Sequence, residues 1–492
     1  MGKLAHPMFS LVREKCMNIE EYVKYDAMGL AELVEKGEVT GKELASLAQE
    51  AAEKVNNKLN AIVSIFDEPY KDDAIEGAKF KGVPTFIKDL GASISGLPQE
   101  RGSRLTKGFV SPVTTNFAQN FLNAGFHIIG RSACPEFGLT LTTESVSQGI
   151  TRNPWNVDHI AGGSSGGSAA LVASGVVPLA HSNDGGGSTR IPASCCGNLG
   201  LKTSRGRVSL GPIDNDVSSP LVAEGCNSRT VRDTAAFLDA VSKPAIGEGV
   251  MNRFVHESFL AGLKKAPEKY RIAVSFDDWG SGPMDSEIRD ELERIAESLK
   301  GIGHRVEEAT PTIVQVDYFE GFKVLWYSLA YFAVNSMAPM VNRTPDATTL
   351  ESITVQMVKE GEKIRAFDVD RTMALANQMS REFGAFFQNW DLLLTPTLIK
   401  GTPKVGGHIT LNSKLNLDEW YTAASSLIPA TPIANITGVP AISVPCGLGP
   451  GDLPLGMHFL AAMGNERVLI DIARQLEESE PWINRTPPVH AG

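Results

Sequence analysis

Two glycine–serine clusters separated by an apolar run set the terms for the whole chain. GGSSGGS occupies residues 162–168 and DGGGS residues 184–188; the stretch between them is rich in Ala, Val and Leu and is punctuated by Gly175 and Pro178. Glycine costs backbone entropy and packs nothing, so it is used where the chain needs an unusual conformation or a close backbone approach. Three glycines after Asp184 present consecutive N–H groups with no side chain in front of them. Such a run forms a concave nest for an anion or an oxyanion, and Ser188, which follows, stands where a nucleophile would have to stand. A flexible Gly/Ser linker has a related composition. Here helix-like apolar sequence follows the first cluster and a Pro-punctuated segment follows the second, which argues for an ordered site.

Composition narrows the function classes. With 492 residues, 42% of them hydrophobic, the chain can bury a large core. Length alone suggests about three domains. The net charge is −11 with no long basic run, and phosphate contact needs a basic face, so nucleic acid is not an expected partner. The six cysteines, Cys16, Cys134, Cys195, Cys196, Cys226 and Cys446, form no CxxC pair and no zinc spacing. They are expected to be buried small hydrophobes in a reducing compartment. No metal or cofactor is implied. The first residues, MGKLAHPMFSLVREKC, lack the apolar core of a signal peptide, and no run reaches the ~18 uninterrupted apolar residues of a membrane span. The expectation is a cytoplasmic protein without a membrane-spanning segment.

Along the chain, residues 25–54 have helical spacing, with Thr40 and Glu43 forming a capping box. Residues 60–66 and 82–89 are strand candidates, and Lys88 falls at or near the end of the second. An amphipathic helix, a break at Gly125 and a short strand fill residues 117–131. Residues 226–241 pattern as one helix. Residues 270–277, 286–299 and 304–308 form a βαβ unit, hence a piece of parallel sheet. Residues 324–342 are uncharged and aromatic-rich, a buried helix or the wall of a substrate tunnel; Asn335, Ser336 and Pro339 are expected to break it. Strands are expected at 390–396, 435–445 and 454–460, and a final helix at 468–478.

The segments GGSSGGSAA and NDGGGSTRIPASCCGNLGLK resemble the signature of the amidase signature enzymes, with GVP…KD at residues 82–89 and SACPEFG at 132–138 as further matching pieces. The variant with Asn183 and Gly185, where most members carry Thr and a β-branched residue, resembles the branch containing 6-aminohexanoate cyclic dimer hydrolase and aryl-acylamidases. The resemblance implies an α/β fold, a single α/β/α domain with a large mixed central sheet covered by helices. It implies a catalytic region over residues 82–480, an N-terminal helical segment over 1–81 packed on it, and helices near the substrate entrance at about 315–390. A homodimer is the assembly the family habit implies.

By the same resemblance, Ser188 matches the nucleophile, Ser164 the bridging serine after a cis peptide, and Lys88 the base. Gly185, Gly186 and Gly187, with the N–H of Ser188, match the oxyanion hole. A free lysine has a pKa of about 10.4 and takes a proton only when neutral, which requires burial away from carboxylates. Asp184 and Arg190 are expected to brace the loop as an ion pair, Asp89 to support local structure, and Gly185 to leave extra room at the scissile bond. The expected substrates are uncharged, medium-sized amides, including aryl and alkyl amides and aminohexanoate-type oligomers, or carbamates. Two other readings compete. GGSSG fits the G-x-S-x-G elbow of α/β-hydrolase esterases, which requires a preceding strand and a histidine partner. A glutamine-dependent amidotransferase subunit would share the triad but work inside a complex.

Overall fold

The computed structural model describes residues 17–71, 77–214, 220–243, 245–248, 257–312 and 315–492. The strands lie in two main sheets. Strands β1 (Ile62–Tyr70), β2 (Pro84–Lys88) and β3 (His127–Ser132) form a small sheet in the order β1-β3-β2. The large sheet contains β4 (Leu179–Asp184), β5 (Leu199–Lys202), β6 (Ala223–Ser228), β7 (Arg271–Val274), β8 (Arg305–Glu308), β9 (Leu392–Pro396), β10 (Ala441–Gly449) and β11 (Leu453–Ala461). Its order is β8-β7-β9-β11-β10-β5-β6-β4. The β8-β7 and β7-β9 pairs are parallel and the others antiparallel, so the sheet is mixed. This is the expected α/β architecture, including the predicted βαβ unit.

The helices follow from caps and spacing. Helix α1 (Gly41–Leu59) begins at the predicted Thr40/Glu43 capping box and buries Leu44, Ala48, Val55 and Leu59. Helices α2 (Asn116–Asn123), α3 (Gly166–Ala173), α4 (Arg190–Cys196) and α5 (Val231–Val241) come next, then α6 (Ser286–Gly301), α7 (Gln315–Val341), α8 (Thr431–Thr437) and α9 (Glu466–Ser479). In α6, Ile288, Leu292, Ile295 and Leu299 share one face by the 3.6-residue period. They pack with Leu469 and Leu476 of α9, Leu238 of α5 and strand residues Ile272, Leu392 and Phe459 in one buried cluster. Each such side chain contributes about 1.5–3 kcal/mol by leaving water. A second, larger cluster includes α1, α3, α7 and the small sheet.

Three local expectations are corrected. Residues 226–228 are not helical: Cys226 pairs with His181 and Asn227 with Gly200 in the sheet. The helix starts only after Thr230, whose side chain accepts the N–H of Asp233, so the expected helix is shorter at its N-terminal end. Asn435, expected in a strand, lies in α8, which Gly438 closes at φ 80°, a conformation glycine adopts at little cost. Asn335 and Ser336 do not break α7, and Pro339 sits within it. Proline forfeits one helical hydrogen bond, a loss tolerated here because the helix ends at Val341.

Tyr318–Val341 passes a test of length and composition for a membrane-crossing helix, although Glu320 and Lys323 interrupt its apolar run. One of its faces, with Phe322, Trp326, Ala330 and Val334, is buried against the rest of the protein. Of the cysteines, Cys134, Cys195, Cys196, Cys226 and Cys446 are buried and free; Cys16 lies outside the described residues.

Candidate active site

The small sheet meets the edge of the large one at β2 and β4. Thr85 Oγ1 donates to the Leu179 carbonyl at 2.8 Å, and the Lys88 N–H donates to His181 Nδ1 at 3.1 Å. Arg131, buried on β3, donates to the carbonyls of Lys88 and Ala92. These bonds fix the last residue of β2 and send the Lys88 side chain, which has no solvent exposure, into the interior.

Lys88 Nζ contacts three neutral oxygens: Ser164 Oγ at 2.6 Å, Asn183 Oδ1 at 2.7 Å and Ser165 Oγ at 2.9 Å. No carboxylate pairs with it among the described residues. Burial is the main cause that lowers its pKa to about 8, against the weaker pull of Glu224 and Asp184. A neutral amine has two N–H donors and one lone pair. Donation to Asn183 and Ser165 leaves the lone pair for the hydroxyl of Ser164.

Ser164 follows a cis peptide at Gly163–Ser164. A Cβ on Gly163 would lie 2.7 Å from the Thr142 backbone, so only glycine fits beside it. Ser164 and Ser188 line one cavity of about 270 Å³, together with Asn183, Gly185 and Glu224. No hydrogen bond joins the two hydroxyls among the described residues. Ser188 also lines a narrower chamber of about 50 Å³ walled by Leu139, Ile191, Tyr318, Phe322, Trp326 and Trp420. It therefore stands where the two spaces meet, and α7 supplies walls to both.

The glycine loop is braced from below. Asp184 accepts from Arg190 Nε and Nη2 at 2.9 and 2.8 Å, from Gly187 N–H at 2.7 Å and from Thr189 N–H at 3.2 Å. Asn435 Nδ2 donates to the same carboxylate at 2.9 Å. The Arg190 guanidinium and the hydrogen bonds of Asn435 hold the Asp184 carboxyl well below the usual range despite its burial. The expected Asp184–Arg190 brace is thus present.

Two expectations about the loop are corrected. The Gly187 N–H is spent on Asp184, so of the three glycines Gly185 and Gly186, with Ser188, keep N–H groups that no acceptor takes among the described residues. Gly185 does not open extra room: a Cβ there would lie 3.3 Å from the Trp326 ring, which occupies the space. Gly187 has φ 126°, and a Cβ on it would lie 2.6 Å from Ile191 Cδ1 and 2.7 Å from Thr431 Oγ1. Gly187→Ala is therefore expected to destabilise the protein by at least about 2 kcal/mol, read as a lowered urea midpoint.

Sequence reasoning missed Ser165, Asn183, His181 and Glu224 as neighbours of the lysine. Ser165 was visible in the GGSSGG run, and Asn183 as a departure from Thr; nothing in the sequence linked His181 to Lys88. His181 Nε2 bonds Glu224 at 2.7 Å while its Nδ1 accepts the Lys88 N–H, so it donates to the carboxylate as a neutral ring. Asp89 accepts N–H groups of Glu100 and Gly102 and shapes the local turn, as expected. Cys134 is fully buried, and burial pushes its thiol up, leaving it a poor nucleophile. The esterase reading finds no support: the residues immediately before Ser164 form only isolated bridges, at Arg152, His159 and Ile160, and no histidine lines either cavity. No group of three His, Cys, Asp or Glu side chains is poised to hold a metal among the described residues.

Comparison with known proteins points the same way. Residues 43–470 match the protein family described as Amidase. The 6-aminohexanoate-cyclic-dimer hydrolase of Pseudomonas sp. strain NK87 is 33% identical over 484 residues, covering 94% of this chain and 96% of that protein. A solved 6-aminohexanoate cyclic dimer hydrolase with bound substrate superposes with a TM-score of 0.88 at 29% identity, covering 95% of this chain and 99% of the other. A bacterial aryl acylamidase superposes with a TM-score of 0.82 at 25% identity, covering 93% and 96%. The chain belongs to the amidase signature family and is an amidohydrolase acting on carbon–nitrogen bonds.

Proposed function

We propose that this amidohydrolase cleaves amides through a Ser188–Ser164–Lys88 relay and an acyl-enzyme on Ser188. The observation that carries the reading is the Lys88 amine, buried among three neutral oxygens and 2.6 Å from Ser164 Oγ. In the reaction, Lys88 draws the proton of Ser164, and Ser164 draws that of Ser188. Bound substrate closes the gap between the two hydroxyls, as catalytic contacts often tighten only in the complex. Ser188 Oγ then attacks the carbonyl carbon. The N–H groups of Gly185, Gly186 and Ser188 receive the oxyanion, a contribution of about 2.7–4 kcal/mol per donor in comparable sites. The proton returns through Ser164 to the leaving nitrogen, the amine departs, and water repeats the cycle on the ester.

The substrates that suit these spaces have an uncharged, apolar acyl or aryl arm, which the narrow aromatic chamber accepts. The names of the relatives, an aminohexanoate cyclic dimer hydrolase and an aryl acylamidase, support amides of that kind. Carbamates present the same carbonyl and leaving amine and use the same relay. The test is rapid quenching during turnover of a 4-nitroanilide, followed by peptide mass spectrometry. The acyl mass is expected on Ser188, with a burst of nitroaniline; acylation elsewhere, or none with an active enzyme, rejects the mechanism. A panel of acetanilide, 4-nitroanilide, aminohexanoate and carbamate substrates reads the selectivity, and a preference for glutamine would reject the substrate class.

A further inference from the structure

Arg101 lines the wider cavity together with Ser164 and Ser188. Among the described residues nothing pairs with its guanidinium, and its Nε is buried without a hydrogen-bond partner. Arg190 and Arg207, which are more deeply buried than the half-buried Arg101, are paired with Asp184 and Glu466. A guanidinium partly withdrawn from water with no hydrogen-bond acceptor carries a desolvation cost that a ligand in the cavity can offset.

The backbone at this position adds a second observation. Arg101 has φ 53°, in the left-handed region where a side chain is disfavoured and glycine is not. The turn is pinned on all sides. The Glu100 N–H donates to Asp89 Oδ1 at 2.8 Å and the Gly102 N–H to Oδ2 at 3.3 Å. The Arg101 N–H donates to the Asp89 carbonyl at 3.0 Å, and its carbonyl accepts from Phe137 at 2.8 Å. Non-glycine residues held this way concentrate at binding sites. Next to Phe137, a Cβ on Gly138 would lie 3.2 Å from Ser164 Oγ, so the turn borders the reacting hydroxyls.

We propose that Arg101 is a specificity residue that receives a carboxylate on the substrate, so that the favoured amides carry one apolar arm and one arm ending in a carboxylate. The planar guanidinium matches a carboxylate with two parallel N–H···O bonds. Asp214 and Glu224 also line the cavity; Glu224, held by His181, disfavours an anionic arm on its own wall, while the charges of Asp214 and Asp89 act on Arg101 without a hydrogen bond to its guanidinium. The proposal rests on the cavity being the site of amide cleavage, and it restricts the expectation of an uncharged substrate to one arm.

The experiment compares hexananilide with two amides that differ from it by a carboxylate, adipic acid monoanilide and 4-(hexanoylamino)benzoate. At least one is expected to exceed hexananilide by roughly 10- to 100-fold in kcat/KM, the effect of a charged hydrogen bond. In Arg101→Asn, whose side chain tolerates the left-handed backbone, that ratio falls to about one, and Arg101→Lys recovers part of it. Ratios at or below one in the parent enzyme, or a ratio untouched by Arg101→Asn, overturn the proposal. Calorimetric binding of the same three amides to Ser188→Ala separates the two readings. If no anilide is cleaved, the proposed mechanism fails, while carboxylate-dependent binding that Arg101→Asn removes still supports the subsite, and equal binding of all three rejects it.

Discussion

Lys88→Met is expected to lower kcat by at least about 10³-fold while leaving substrate binding largely intact. General-base transfer is worth about 10²–10⁴-fold, and here the lost group serves both the attack and the return of the proton to the leaving amine. Methionine has a similar length and no titratable atom, so the cavity stays filled. Three oxygens, on Ser164, Ser165 and Asn183, lose the amine they contact, and among the described residues no other basic side chain hydrogen-bonds Ser164. The measurement is kcat and KM for an anilide, with binding to the variant followed by calorimetry. A variant that retains more than a tenth of parental kcat would remove Lys88 from the mechanism.

The same amine sets the pH profile. Its pKa is lowered to about 8 by burial, and only the neutral form accepts a proton from Ser164. The kcat/KM value is therefore expected to fall with a slope of one below pH about 8 and to level off above it. Stability moves in the same direction. In the unfolded chain the lysine keeps its proton up to about pH 10.4, while in the fold it releases it near 8. Between those values the unfolded state binds more protons, so the Lys88 contribution to stability rises with pH by up to about 1.4 kcal/mol per pH unit. A flat kcat/KM between pH 6 and 9 would contradict a lysine base.

The pattern of small residues made the site legible before any coordinates. The clusters around Ser164 and Ser188 were visible because their backbone demands exclude ordinary side chains, the strand ending in Lys88 because of its apolar residues, and the roles of the three through the resemblance to the amidase signature. The packing around them was not. Trp326 fills the space beside Gly185 from a helix more than a hundred residues away in sequence, and no local pattern announces such a contact. The Gly187 N–H was misassigned for a related reason: a glycine run shows that donors are available, not which acceptor takes them. Charge spacing misled at residues 226–228, where a buried polar strand, Ala223–Ser228, runs into a capped helix and shares its Arg/Asp-rich surroundings. Nothing in the sequence singled out Arg101; its place in the cavity and its left-handed backbone come from the fold.

Asp184→Ala is expected to destabilise the protein by about 3–5 kcal/mol, the cost of leaving one buried charge without its partner. Arg190 has no solvent exposure, and its other contacts, His458 Nε2 at 2.9 Å and Asn435 Oδ1 at 2.7 Å, are neutral. His458 accepts from the guanidinium, and burial with that neighbouring cation holds its pKa well below the ordinary value, so it offers no counter-charge. The substitution also frees the N–H groups of Gly187 and Thr189 and removes an acceptor of Asn435. The loop that presents Ser188 then loses its anchor, so activity should fall further than the folded fraction alone explains. Urea unfolding gives the first quantity and kcat at saturating substrate the second. Asp184→Ala combined with Arg190→Met, which removes the stranded charge, should recover part of the stability but little of the activity. If the double variant is no more stable than Asp184→Ala, the buried charge is not the source of the loss.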